Sequence, residues 1–116
     1  MYNYRELESD SIEYVSVFNK DDLMNGERIF VDIDDLAIVV FNIAGDYFAI
    51  GDVCSHDDGP LGEGQIEGYE VICPRHGARF DIRTGNANSL PAVIDIPAYP
   101  VRIEGDQIEI GIPQTE

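Results

Sequence analysis

Residues 36–53 read LAIVVFNIAGDYFAIGDV. Leu36 to Ile43 is an apolar run rich in β-branched residues, the pattern of a strand covered on both faces. Ala44-Gly45-Asp46 then supplies a turn, and Tyr47 to Val53 returns as a second strand, so the stretch predicts a hairpin whose end delivers Cys54. Upstream, Ile12 to Phe18 alternates loosely, and Arg28 to Ile33 alternates more cleanly, with Ile29, Val31 and Ile33 on one face. Downstream, Glu70 to Ile72 is a short strand delivering Cys73, and Phe80 to Ile82 leaves the loop that follows. Arg83-Thr84-Gly85-Asn86 makes a turn. Tyr99 to Ile103, Glu104-Gly105-Asp106 and Gln107 to Ile112 form a closing hairpin. Only Lys20 to Asn25 suits a short helical turn, with Asn19 as its cap. These signals predict an all-β protein, a single domain spanning 1–116. The expected architecture is a small antiparallel β sandwich or barrel with a subdomain inserted from about 52 to 90.

Every cysteine and histidine of the chain falls within that insertion, inside one window of 23 residues: Cys54, His56, Cys73 and His76. The arrangement is C-x-H, sixteen residues, then C-x-x-H. It points to a metal site of two thiolates and two imidazoles carried on two loops. Zinc accepts such a set, but its finger-type sites group Cys with Cys and His with His, whereas each loop here supplies one of each. The mixture suits two adjacent metal atoms, one facing thiolates and one facing imidazoles, as in a Rieske [2Fe–2S] centre. A Cys54–Cys73 disulfide leaves both histidines unexplained, and nothing in the sequence suggests an oxidising compartment.

The loops read Cys54-Ser55-His56-Asp57-Asp58-Gly59-Pro60-Leu61-Gly62 and Cys73-Pro74-Arg75-His76-Gly77-Ala78-Arg79-Phe80-Asp81. Gly59, Gly62 and Gly77 are expected to permit close backbone approach and positive φ. Pro60 and Pro74 stiffen the loops. Leu61 fits a cover over the cluster and equally an ordinary core leucine. Arg75 and Arg79 dock a partner's carboxylate, modulate the field at the metal site, or pair with Asp57, Asp58 or Asp81, the pairing being the stronger expectation for Arg79. Asp57 and Asp58 read as solvated loop charges.

On these motifs the chain resembles the Rieske ferredoxin family, whose loops read C-x-H and C-P-x-H-G, over about residues 36 to 112. The resemblance implies one [2Fe–2S] cluster, with Cys54 and Cys73 on the inner iron and His56 and His76 on the outer iron near the surface. It implies a one-electron carrier rather than an enzyme. The respiratory branch of the family has an extra cysteine in each loop, where this chain has Gly59 and Arg75. That branch also has hydroxyl donors where this chain has Ala78 and Phe80. Loss of donors that favour the reduced cluster, together with a net charge of −16, lowers the expected reduction potential. The chain therefore looks like the low-potential ferredoxins that take electrons from a reductase and feed a terminal oxygenase. An accessory electron-transfer subunit of another reductase, such as a nitrite reductase, and a structural zinc module are the alternative readings.

Other functions are excluded by residue types. Both histidines are used, so none remain for the 2-His-1-carboxylate iron of an oxygenase. No G-x-G-x-x-G or P-loop is present, so the chain is not the reductase. The balance of 23 Asp and Glu against seven Lys and Arg argues against a nucleic-acid partner. It suits steering toward basic partners or adaptation to high salt. No basic, apolar signal opens the sequence, and the longest uncharged run, Leu36 to Gly45, is half a membrane span. If the chain is complete, these features predict a cytoplasmic protein with no membrane partner. The docking face is expected around the two loops, at His56, Pro60, Arg75 and His76.

Overall fold

The computed structural model describes residues 12–53, 60–75, 77–90 and 94–113. Among the described residues, ten strands build three antiparallel sheets: β1 (Ile12–Asn19), β2 (Arg28–Ile33), β3 (Leu36–Ile43), β4 (Asp46–Gly51), β5 (Gln65–Glu67), β6 (Glu70–Ile72), β7 (Arg79–Asp81), β8 (Ala98–Tyr99), β9 (Val101–Glu104) and β10 (Gln107–Pro113). The sheet orders are β2-β3-β4-β8, β1-β10-β9 and β5-β6-β7. Among the described residues, no helix is long and apolar enough to cross a membrane.

The four-stranded sheet is the middle layer, and the apolar run of β3 follows from that position. Ile38 and Val40 join Ala49, Tyr99, Ile110 and Ile112 in a core shared with the β1-β10-β9 sheet. Val39 and Phe41 point the other way, joining Phe48, Ile50, Val71, Phe80 and Ile82 in a core shared with the β5-β6-β7 sheet. A half-covered strand needs apolar residues only at alternate positions; this one has them at successive positions from Ile38 to Phe41. The expectation of two covered faces is met. Each of the large side chains buried here contributes roughly 1.5–3 kcal/mol of transfer free energy.

The β3–β4 hairpin also forms where the sequence places it, with Ile43 opposite Asp46. Its two central residues, Ala44 (φ 56°) and Gly45 (φ 91°), are both left-handed, as the twist-matched two-residue turn demands. The helical turn expected over Lys20 to Asn25 is shorter than the sequence suggests. It covers Lys20–Asp22, and the Asn19 side chain caps it by accepting from the Asp21 amide.

Two expected strands need correction, and one strand was not expected. The strand predicted over Tyr99 to Ile103 is divided between two sheets: Tyr99 pairs with Ala49 of β4, and Val101 pairs with Ile110 of β10. Pro100 stands between them, and a residue without an amide proton is a natural point for a chain to change ladders. The strand predicted from Phe80 begins one residue earlier, at Arg79, and ends at Asp81. β5 went unrecognised, because Gln-Ile-Glu offers one apolar residue and too little alternation to register.

The chain leaves the central sheet after Gly51 and re-enters it at Ala98, which pairs with Ile50. All of β5, β6 and β7 lie in that excursion.

Candidate metal centre

Cys73 follows directly on β6 and is 1% exposed. Its amide donates to the Ala78 carbonyl at 2.7 Å, and its carbonyl accepts from the Gly77 amide at 3.0 Å. The chain thus turns back between Cys73 and Ala78 to start β7. Gly77 makes this possible with φ 77°; its absent Cβ would meet no atom within 4 Å, so the requirement is conformational rather than spatial. Pro74 and Arg75 are exposed at the tip of this turn. Cys54, His56 and His76 lie outside the described residues, as do Asp57, Asp58 and Gly59.

Gly62 departs from expectation. It is not left-handed; its requirement is space. A Cβ there would lie 2.7 Å from Phe30 Cε1 and 3.0 Å from both Asp52 Oδ1 and Val39 Cβ. Leu61, beside it, is fully buried in the core that also contains Cys73, Val71, Ala78 and Phe80. Both readings of Leu61 are therefore compatible: it is a core leucine in the same apolar cluster as the thiol. Ala78 and Phe80 are fully buried too, and neither has a hydroxyl to offer.

The pairing expected for Arg79 also needs correction. Among the described residues its guanidinium binds Glu67 at 2.9 Å and Glu70 at 3.1 Å rather than Asp81; Asp57 and Asp58 lie outside the described residues. Asp81 is taken instead by Arg83, at 3.0 Å. The strand register explains both. Glu67 faces Glu70 across β5–β6, and Glu70 faces Asp81 across β6–β7. Three like charges in a row are destabilising, and an arginine at each side relieves them. Asn88 also donates to Glu70, at 2.8 Å. The Asn88 and Arg79 hydrogen bonds hold the Glu70 carboxyl below its ordinary pKa. Burial pushes Asp81 up, but hydrogen bonds from the Arg83 side chain and backbone outweigh it, and its pKa is lowered.

Two residues that sequence reasoning passed over touch the loop backbone. Asp52 Oδ1 accepts from the amides of Leu61 and Gly62, and Arg28 donates to the carbonyls of Gly62 and Gly64. Asp52 carries a weak signal in standing two residues before Cys54. Arg28 carries none, being remote in sequence from the loop.

The described residues fit a thiolate-bound cluster. Among the described residues Cys73 is a free, buried thiol; it lies in an apolar side-chain cluster and heads a glycine-closed turn. Such a thiol is of the type that binds iron–sulfur clusters.

Comparison with known proteins agrees. The family model for the Rieske [2Fe-2S] domain matches residues 13–100. The ferredoxin component of the p-cumate 2,3-dioxygenase system of Pseudomonas putida is 37% identical over 105 residues, covering 89% of each chain. The 3-phenylpropionate/cinnamic acid dioxygenase ferredoxin subunit of Escherichia coli (strain K12) is 38% identical over 96 residues, covering 82% of this chain and 90% of that one. Among solved structures, the ferredoxin of carbazole 1,9a-dioxygenase from Nocardioides aromaticivorans IC177 superposes with a TM-score of 0.80 at 33% identity, covering 87% of this chain and 98% of that chain.

Proposed function

This chain belongs to the Rieske [2Fe-2S] family, and from that premise we propose that it is a cytoplasmic, low-potential ferredoxin that carries single electrons from a reductase to a terminal oxygenase. The observation carrying this reading is the match, over nearly the whole of both chains, to ferredoxin components of dioxygenase systems. Cys54, Cys73, His56 and His76 would hold the cluster, the two thiolates on one iron and the two imidazoles on the other. It supplies one-electron transfer. The chain's own residues do the rest. Leu61, Val71 and Phe80 pack in the apolar cluster around Cys73, and the Gly77 turn holds the thiol at the end of β6. The exposed Pro74 and Arg75 present this tip to partners, with Pro60 exposed on the other loop. The insertion from about 52 to 90 is the cluster-binding subdomain of a single-domain chain. The net charge of −16 steers the carrier toward basic docking patches.

The test is direct. Purified protein is expected to hold about two iron and two sulfide per chain and to give a Rieske EPR signal when reduced. Turnover reconstituted with a reductase and an oxygenase should saturate in this protein, and its on-rate should fall as salt is raised. A colourless protein holding one zinc would overturn the cluster assignment. A tight, stoichiometric subunit with salt-independent activity would overturn the carrier role.

A further inference from the structure

Residues 61–64 close the first ligand loop and lead into β5, and two charged side chains hold them. Asp52 stands two residues before Cys54. Its Oδ1 accepts from the Leu61 amide at 3.0 Å and the Gly62 amide at 2.6 Å. Its own amide donates to the Ala37 carbonyl of β3 at 2.8 Å. One aspartate therefore closes the base of the first ligand loop and ties it to the central sheet. From β2, Arg28 donates to the carbonyl of Gly62 and, at 2.7 Å, to that of Gly64. Its guanidinium is braced over the Phe41 ring, 5.4 Å from the centroid.

The far end of the segment abuts the second loop. The Gly64 amide donates to the Leu61 carbonyl at 3.0 Å. A Cβ on Gly64 would come within 1.8 Å of the Ile72 carbonyl oxygen, in the peptide that leads into Cys73. Backbone here packs on backbone with no side chain between. One end of the segment is thus held by a residue just before the first cysteine, and the other rests against the peptide that precedes the second.

We infer that residues 61–64 are the spacer that sets the separation of the two ligand loops, and that Asp52 and Arg28 are positioning residues that hold this spacer for the cluster. A cluster bound across two loops needs its two thiolates at one fixed separation. Ligands preorganised by outer partners bind more tightly than ligands that must be gathered. A carboxylate accepting two amides and a guanidinium donating to two carbonyls make charge-assisted bonds, which are stronger than neutral ones. They occupy opposite polar groups of the same short segment. This role rests on the ligand assignment proposed above.

The test uses the full cluster-bound chain. Iron and sulfide content and the reduced-state EPR spectrum of the unmutated protein test the ligand assignment by itself. Asp52→Ala is then expected to bleach about tenfold faster in the presence of a chelator, the equivalent of about 1.4 kcal/mol, and to broaden the EPR signal. The Leu61 and Gly62 amides should lose protection from hydrogen exchange while those of β3 and β10 keep theirs. Asp52→Asn, which retains an acceptor oxygen, should recover most of the cluster lifetime. An Asp52→Ala protein with unchanged bleaching and EPR would overturn the inference and leave the ligand assignment standing. If Asp52→Ala also exposes β10, Arg28→Gln decides by the same readouts: faster bleaching and a broadened signal with β10 still protected support the spacer, and unchanged values overturn it. An unmutated protein with no Rieske signal would overturn the ligand assignment, and the spacer role with it.

Discussion

Asn42 donates its side-chain amide to the backbone carbonyl of Leu23, at 2.9 Å. Asn42 is 5% exposed and is the buried polar side chain of the core among the described residues. Its Oδ1 accepts from the Gly45 amide at 3.0 Å, and its backbone binds Gly26 and Glu27. One residue thus joins the loop before β2 to the turn after β3. Asn42→Ala is expected to cost about 2 kcal/mol, because the Leu23 carbonyl is left buried and without this donor. Urea unfolding should show a lower midpoint at unchanged slope. Iron content should not change, since Asn42 sits at the end of β3 opposite to Ala37, where the first ligand loop is tied. A midpoint equal to that of the unmutated protein would mean that water replaces the amide.

The β2–β3 turn is made of Asp34 (φ 50°) and Asp35 (φ 68°), both left-handed. Side chains incur a steric cost there that glycine avoids, and two adjacent carboxylates repel. The double substitution Asp34→Asn with Asp35→Gly is expected to stabilise the protein by about 1 kcal/mol, since asparagine followed by glycine is the pair this turn type favours. Thermal unfolding at low salt measures it. A gain that vanishes in high salt would assign the effect to charge alone rather than to backbone conformation.

The lowered pKa of Glu70 makes a prediction about acid. A carboxyl whose folded pKa is depressed adds stability above its unfolded value, about 4.3, and loses it as pH falls through the folded value. Glu70→Gln should therefore be less stable than the unmutated protein at pH 7, and the gap should close on the acid side of about pH 4. Melting temperatures of the two proteins compared at each pH isolate this group from the many other carboxylates. A gap that stays constant with pH would show that the Asn88 and Arg79 contacts do not depend on the Glu70 charge.

Ala78 is fully buried and bonded through its carbonyl to the Cys73 amide. With Ala78 and Phe80 supplying no hydroxyl donor, the potential is expected at the low end of the Rieske range, near about −150 mV. Ala78→Ser is expected to raise it. A hydrogen bond about 1 kcal/mol stronger to the reduced cluster corresponds to about 40 mV for a one-electron couple. Protein-film voltammetry at pH 7 reads the shift. An unmoved potential would show that the new hydroxyl is satisfied by backbone rather than by sulfur.

By itself, the sequence determined what depends on neighbours along the chain. The run from Leu36 to Ile43 announced a strand apolar on both faces, and Ala44-Gly45 announced the turn that follows it. The spacing of Cys54, His56, Cys73 and His76 is what carries the ligand set proposed above, because ligands on two short loops must be close in sequence within each loop. Tertiary structure alone decided the contacts between segments far apart in the chain. Arg79 chose Glu67 and Glu70 over Asp81 because strand register, not proximity in sequence, sets which charges face one another. Pro100 split a predicted strand because two sheets compete for that chain, and only their packing shows which side each residue joins. Asp52 and Arg28 came to hold the 61–64 segment because β2, β3 and the ligand loop meet only in the fold. Hydrogen-bond partners supplied by backbone carry no side-chain signature, so no pattern of residues could have marked them in advance.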